Sequence, residues 1–80
     1  MLIALGKEKS VFREDIIGVF DLDITSQSAL TRRFLRDAEK GGLVVNTAED
    51  IPKSFVVCAE KDGNRVYLHQ LSPAALIKRI

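Results

Sequence analysis

Asp62-Gly63 lies between two apolar runs, Phe55-Val56-Val57-Cys58-Ala59 and Arg65-Val66-Tyr67-Leu68-His69-Gln70, and no other feature constrains the fold as tightly. An Asp-Gly pair tolerates the positive φ angles of a two-residue hairpin turn, so the runs are expected to be antiparallel neighbours. With Asp62-Gly63 as the turn, Ala59 faces Val66 and Val57 faces Leu68, while Cys58 faces Tyr67 and Val56 faces His69. Side chains alternate along a strand, so these pairs define two sheet faces. The first set is expected to face the core. The second set, Val56, Cys58, Tyr67 and His69, is too apolar for full exposure. It is expected to pack under a helix or to form an interface with another subunit.

The remaining elements follow from local patterns. Leu2 to Leu5 predict a short strand, Lys7-Glu8-Lys9 a turn, and Val11 and Phe12 a return toward the first strand. The run Ile16-Ile17-Gly18-Val19-Phe20 is rich in β-branched and aromatic residues, which predicts a strand covered on both faces. Asp21, Asp23, Thr25 and Ser26 suit a loop and a helix N-cap, with Asp23 or Thr25 as the capping residue. A helix is expected over about 26–40, stopped by Gly41-Gly42. Leu43-Val44-Val45 predicts another strand, and residues 46–53, with Pro52, a loop. Ser72-Pro73 marks the start of a short final helix, an N-cap followed by proline at the first helical position. The expected fold is α/β (α+β): a small, mostly antiparallel sheet of about five short strands, with one main helix and a short C-terminal helix.

The chain has 80 residues, which suits a single domain over residues 1–80. So short a chain buries only a modest share of its surface. Cys58 is its one cysteine and His69 its one histidine, so neither an intrachain disulfide nor an ordinary Cys/His zinc cage is available. Self-association is the remaining way to bury more surface. No cofactor and no metal is expected. Cys58, in mid-strand, reads as a buried and inert thiol, and His69 as a structural residue. Asp21-Leu22-Asp23 resembles one corner of a calcium loop, but the glycine and the terminal glutamate of such a loop are missing. No nucleophile–base pairing or nucleotide motif points to an enzyme. The first residues lack the pattern of a secretory signal, and no run reaches membrane-spanning length, so a cytoplasmic protein without a membrane partner is expected.

Charge is more informative in its arrangement than in its sum. With a net charge of +1, any attraction to nucleic acid must come from local asymmetry. The predicted main helix supplies it. Arg32, Arg33, Arg36 and Lys40 fall within roughly a third of its circumference. Leu30, Phe34 and Ala38 lie opposite, flanked by Leu35, and are expected to enter the core. The ridge reads either as a set of phosphate contacts or as a solvated helix face balanced by Asp37 and Glu39. Arg13 and Lys53, at strand ends, are two further candidate contacts.

Over nearly its whole length the chain resembles the RemA/RemB family of small bacterial regulators of extracellular-matrix and biofilm genes, and it is more similar to the RemB side. The resemblance rests on Phe12-Arg13-Glu14-Asp15-Ile16-Ile17-Gly18-Val19-Phe20-Asp21 and on Arg32-Arg33-Phe34-Leu35-Arg36-Asp37-Ala38-Glu39-Lys40-Gly41-Gly42. Pro52-Lys53-Ser54-Phe55-Val56-Val57, Tyr67-Leu68-His69-Gln70-Leu71-Ser72-Pro73 and Leu76-Ile77-Lys78-Arg79 complete it. It implies a subunit that assembles into a ring and binds double-stranded DNA through repeated basic patches to regulate transcription. Arg32-Arg33 match the family's basic pair in the main helix, and Arg13 matches an arginine entering the second long strand. RemA-type members carry consecutive arginines before the Phe55-like strand, where this chain has Ile51-Pro52, with Lys53 nearby. The expected partners are therefore DNA phosphates and further copies of the chain, with no small-molecule substrate. The alternative is a structural or regulatory assembly module that does not touch nucleic acid.

Overall fold

The computed structural model describes residues 1–6, 9–25 and 27–80, without the side chain of Thr25. The expected turn at Lys7-Glu8, the helix start at Ser26 and the Thr25 cap lie outside the described residues. The elements are β1 (Leu2–Gly6), β2 (Lys9–Phe12), a 3-10 turn (Arg13–Asp15), β3 (Ile16–Asp21) and a short helix α1 (Leu22–Thr25). They continue with α2 (Ala29–Lys40), β4 (Val44–Asn46), β5 (Ser54–Glu60), β6 (Gly63–His69) and α3 (Pro73–Ile77). The fold is the expected small α+β arrangement of one main helix and a short C-terminal helix. Among the described residues, six strands form two sheets: a four-stranded sheet in the order β3-β5-β6-β4 and a separate β1-β2 pair. All pairings are antiparallel except β4 with β6, which is parallel.

The four-stranded sheet has a core on each face. Helix α2 covers one face, where Ala38, Phe55 and Val66 are buried among Leu22, Leu35, Leu43, Val44, Val57 and Leu68. The β1-β2 pair and α3 cover the other, where Ile3, Leu5, Val11, Val56, Cys58, Tyr67 and Leu76 are buried together. Two covered faces explain why β5 reads as a nearly continuous apolar run rather than an alternating one.

The β5-β6 hairpin forms, but its register differs from the sequence reading. Glu60 pairs with Gly63, so Lys61 and Asp62 are the loop and Val56 lies opposite Tyr67. Gly63, at φ +121°, spends its conformational freedom at the first residue of β6 rather than inside the loop. The Arg65 guanidinium bonds the Asp62 carboxylate at 2.9 Å across this end. The shift is two residues along the ladder, which preserves the faces. Val56, Cys58, Tyr67 and His69 do share one face, as expected. They are 0–1 % exposed, and what covers that face is the chain's own β1-β2 pair and α3. They form no surface for a neighbouring subunit, which corrects their expected interface role.

Two further corrections concern the main helix and β3. Leu30 and Phe34 do not enter the core: they are 80 % and 45 % exposed, while Ala38 is buried and Leu35 and Thr31 are half-buried. The helix is rotated so that its Thr31–Leu35–Ala38 line meets the sheet. Strand β3 is not covered on both faces but forms one edge of the sheet. Ile16 and Val19 pack into the lower core, while Ile17 is 63 % exposed and Phe20 39 %.

The ends of the elements follow their chemistry. Asp21, rather than Asp23, caps α1, its Oδ1 accepting the Ile24 N–H at 2.9 Å. At the end of α2, Gly42 takes the left-handed conformation (φ +72°). The Leu43 N–H then reaches the Ala38 carbonyl at 2.9 Å and the Gly42 N–H the Glu39 carbonyl at 3.0 Å. These paired bonds satisfy carbonyls that the helix leaves open, as the double glycine predicts. Ser72 caps α3 through its Oγ, which accepts the Ala75 N–H at 3.3 Å.

Candidate nucleic-acid interface

Helix α2 determines where the cations point. Its Thr31–Leu35–Ala38 line faces the sheet, so on a helix of 3.6 residues per turn the Arg32, Arg33, Arg36 and Lys40 side leaves it. All four are exposed. Among the described residues, no ion pair holds Arg33, Arg36 or Lys40. Arg32/Arg36 and Arg36/Lys40 are like-charged i,i+4 pairs, each weakening the helix by about 0.2–0.5 kcal/mol. Lys40, in the last turn, gains from the negative helix end. An exposed row of cations, three of which have no ion-pair partner among the described residues, is chemically suited to a polyanion.

Lys53 joins the same end of the molecule. Its N–H bonds the His69 carbonyl at 2.8 Å, and its carbonyl accepts the Leu22 N–H at 2.9 Å. This backbone bridge ties the start of β5 to the end of β6 and to α1, at the sheet end from which the chain proceeds to α2. The side chain of Lys53 is exposed. Arg13 lies elsewhere. It precedes β3, at the opposite end of the β3-β5 ladder from Lys53, about 20 Å away for a strand of this length. Its N–H bonds the Met1 carbonyl at 2.9 Å, and the N-terminal ammonium pairs with the neighbouring Glu14 at 3.2 Å. The fold therefore groups Lys53 with the early part of the ridge and separates Arg13 from it. In the loop before β5, Ile51 is 77 % exposed and Pro52 half-buried.

The buried polar groups belong to structure rather than to a reactive site. His69 is 1 % exposed, and its Nδ1 accepts the Leu71 N–H at 3.1 Å. Burial lowers its pKa below the ordinary 6.5, which keeps the imidazole neutral. The Cys58 thiol is pushed up to about 11 by burial, with the Glu60 and Asp15 charges adding to the effect. It is thus a protonated, unreactive thiol at neutral pH. The Tyr67 hydroxyl donates to the Glu60 carboxylate, and burial followed by that bond raises its pKa. The Lys9 ammonium sits 5.5 Å from the Tyr67 ring centroid.

The sequence reading missed an apolar groove of about 340 Å³ between α2 and β3. Leu30 and Phe34 form its helical wall, and Ile17, Phe20, Phe55 and Val57 form its floor and outer side. The Phe20 ring stacks on Phe55 at 5.1 Å and lies so close over Gly18 that a Cβ there would sit 2.8 Å from it. The Leu30–Phe34 spacing was visible as an i,i+4 pair. The backbone irregularity that turns Ile17 toward the groove had no local signal.

Taken together, the fold defines a small α+β domain that presents a charged helix face and an apolar groove. The family model for RemA-like proteins, described as extracellular matrix regulatory protein A-like, matches residues 2–80. The chain belongs to this RemA-like family of regulatory proteins. No curated protein matches it. Among the described residues, no helix is long and apolar enough to cross a membrane.

Proposed function

We propose that this protein is a ring-forming, DNA-binding transcription regulator, acting in the cytoplasm on extracellular-matrix genes. The carrying observation is the exposed row on α2, where no ion pair among the described residues engages Arg33, Arg36 or Lys40. Guanidinium forks match phosphate oxygens bidentately, and the α2 row offers several such groups, with Lys53 exposed at the sheet end from which the chain proceeds to α2. Arg13, at the opposite end of the β3-β5 ladder, lies apart from them. A subunit of net charge +1 grips DNA weakly. Joining copies repeats the row, and the linked contacts act at high effective concentration.

The test is a mobility-shift titration of the assembled protein on duplex DNA at two salt concentrations. A ladder of complexes that fades steeply with salt is expected. A well-assembled protein that shifts no DNA at low salt overturns the reading. That outcome supports the second reading, an assembly module without nucleic-acid contact. Exposed Ile51 and adjoining Pro52 favour this alternative, since they replace the consecutive arginines of RemA-type relatives with uncharged side chains.

A further inference from the structure

The α2–β3 groove is an apolar surface patch that adjoins a sheet edge. Its side chains Ile17, Phe20, Leu30 and Phe34 are 39–80 % exposed. At about 200 Å² per large side chain these four leave roughly 450 Å² of apolar surface in water. A standard interface takes about 800 Å² from each partner, some 60 % of it apolar. The patch therefore has the area that one side of a stable contact requires. Beside it runs β3, whose outer edge pairs with no strand among the described residues. Unpaired edge groups accept another strand.

The charges along β3 suggest which strand. Arg13 stands before its first residue, and the Glu14 beside it is engaged by the N-terminal ammonium. Asp21 and Asp23 stand at its other end. A second β3 laid antiparallel brings each Arg13 toward the other copy's Asp21 and Asp23. A parallel arrangement would align like charges. The irregularity between Ile16 and Gly18 matters here. It leaves Ile17 as an extra residue on the α2 side, together with Phe20. An antiparallel pair then sets Ile17 of one copy near Phe20 of the other, on one face.

We infer that two copies of this chain pair edge to edge through antiparallel β3 strands, so that their four-stranded sheets join and their two α2–β3 grooves close on each other. The inference deepens the assembly reading and rests on it only in that copies associate. The contact is isologous and joins copies two at a time. A ring that contains it alternates it with a second contact and has an even number of subunits.

The test measures mass in solution by light scattering for the full chain, for Leu30→Glu with Phe34→Glu, and for Ile17→Lys. All three substituted side chains are exposed, and melting by circular dichroism checks that the fold is kept. The expected result is a weakening of association by about tenfold or more, giving smaller species with an unchanged melt. Hydrogen exchange provides a second readout. In the native assembly, those amides of residues 17–20 that point to the outer edge of β3, away from β5, should be protected, and dilution to the monomer should release them. Assembly that persists in both variants, or a ring with an odd subunit count, overturns the β3 contact while leaving self-association intact. If a different protein, and not a second copy, proves to fill the groove, the contact is likewise overturned. A native protein that stays monomeric at micromolar concentration overturns both this contact and the assembly reading.

Discussion

Replacing Arg33, Arg36 and Lys40 together with alanine tests the basic ridge without endangering the fold. All three are exposed on α2, and none has an ion-pair partner among the described residues. Their removal abolishes the Arg36/Lys40 repulsion and one side of Arg32/Arg36, and alanine is the best helix former. The helix should therefore be as stable as before or slightly more so. Each phosphate neutralised contributes about 0.9 to the slope of log affinity against log salt. Three contacts per engaged subunit contribute about 2.7, so the native protein should lose roughly 40-fold in affinity per engaged subunit between 50 and 200 mM salt. Fluorescence anisotropy of a labelled duplex across a salt series reads this slope directly. The triple variant should show it reduced by about 2.7 for every subunit touching the DNA. If the variant binds with the native slope, the ridge does not meet phosphate, and the contacts must be sought at Lys53, at Arg13 or on another surface.

Two predictions concern the fold itself. Burial lowers the His69 pKa, so the folded protein resists a proton that the unfolded chain accepts near pH 6.5. Its stabilising effect is complete above pH 6.5 and is lost as pH falls below that value through the lowered folded pKa. Melts at pH 7.5 and 5.0 should show a larger loss in the native protein than in His69→Gln, and equal losses would refute the assignment. Leu76 is 0 % exposed and is the one buried residue of α3, so Leu76→Ala should cost about 2–5 kcal/mol. In a domain of this size that lowers the melting temperature by roughly 10–30 °C, whereas Ile51→Ala, at a 77 % exposed loop position, should cost under about 0.5 kcal/mol. Similar melts for the two variants would contradict the burial pattern.

What the sequence disclosed and what it hid divide along a physical line. The Asp62-Gly63 signal located a hairpin but not its loop, because Gly63 uses its positive φ at the strand start and Lys61-Asp62 form the turn. The two-residue error did little harm, since strand faces repeat every two residues. The Ser72-Pro73 start and the Gly41-Gly42 stop were legible because capping involves only near neighbours. The cover of the Val56–Cys58–Tyr67–His69 face was not legible. Either a helix or a hairpin buries such a face equally well, and only the tertiary contacts of Ile3, Leu5, Val11 and Leu76 decide it. The rotation of α2 was hidden for a related reason. Leu30, Phe34, Leu35 and Ala38 form a broad apolar arc, and only the sheet selects which part of it is buried. The ridge cations were legible as exposed residues, but Arg13 was grouped with them because the sequence does not show that β3 separates it from Lys53.

The two flanks of α2 bear on how cations can be gathered on one assembly without repelling it apart. Helix α2 lies over Phe55 of β5 and Val66 of β6, about one and a half strands in from β3. Sheets joined at β3 with the same faces up would hold the two α2 helices about four strand spacings apart, roughly 20 Å. Charges at that separation are largely screened at physiological salt, where the Debye length is about 8 Å. The apolar groove, with Leu30 and Phe34 on the β3 side of the helix, would then associate copies at little electrostatic cost, while both ridges face the same side. A duplex carries one negative charge per about 1.7 Å of its axis, so a single DNA segment spans both ridges. On this geometry, abolishing the β3 contact should weaken DNA binding by removing the second ridge rather than by changing any single phosphate contact. The salt slope per subunit would stay the same while the overall affinity drops. A β3-edge variant that loses slope per subunit as well would show that the groove itself touches DNA, and the separation of the two flanks would fail.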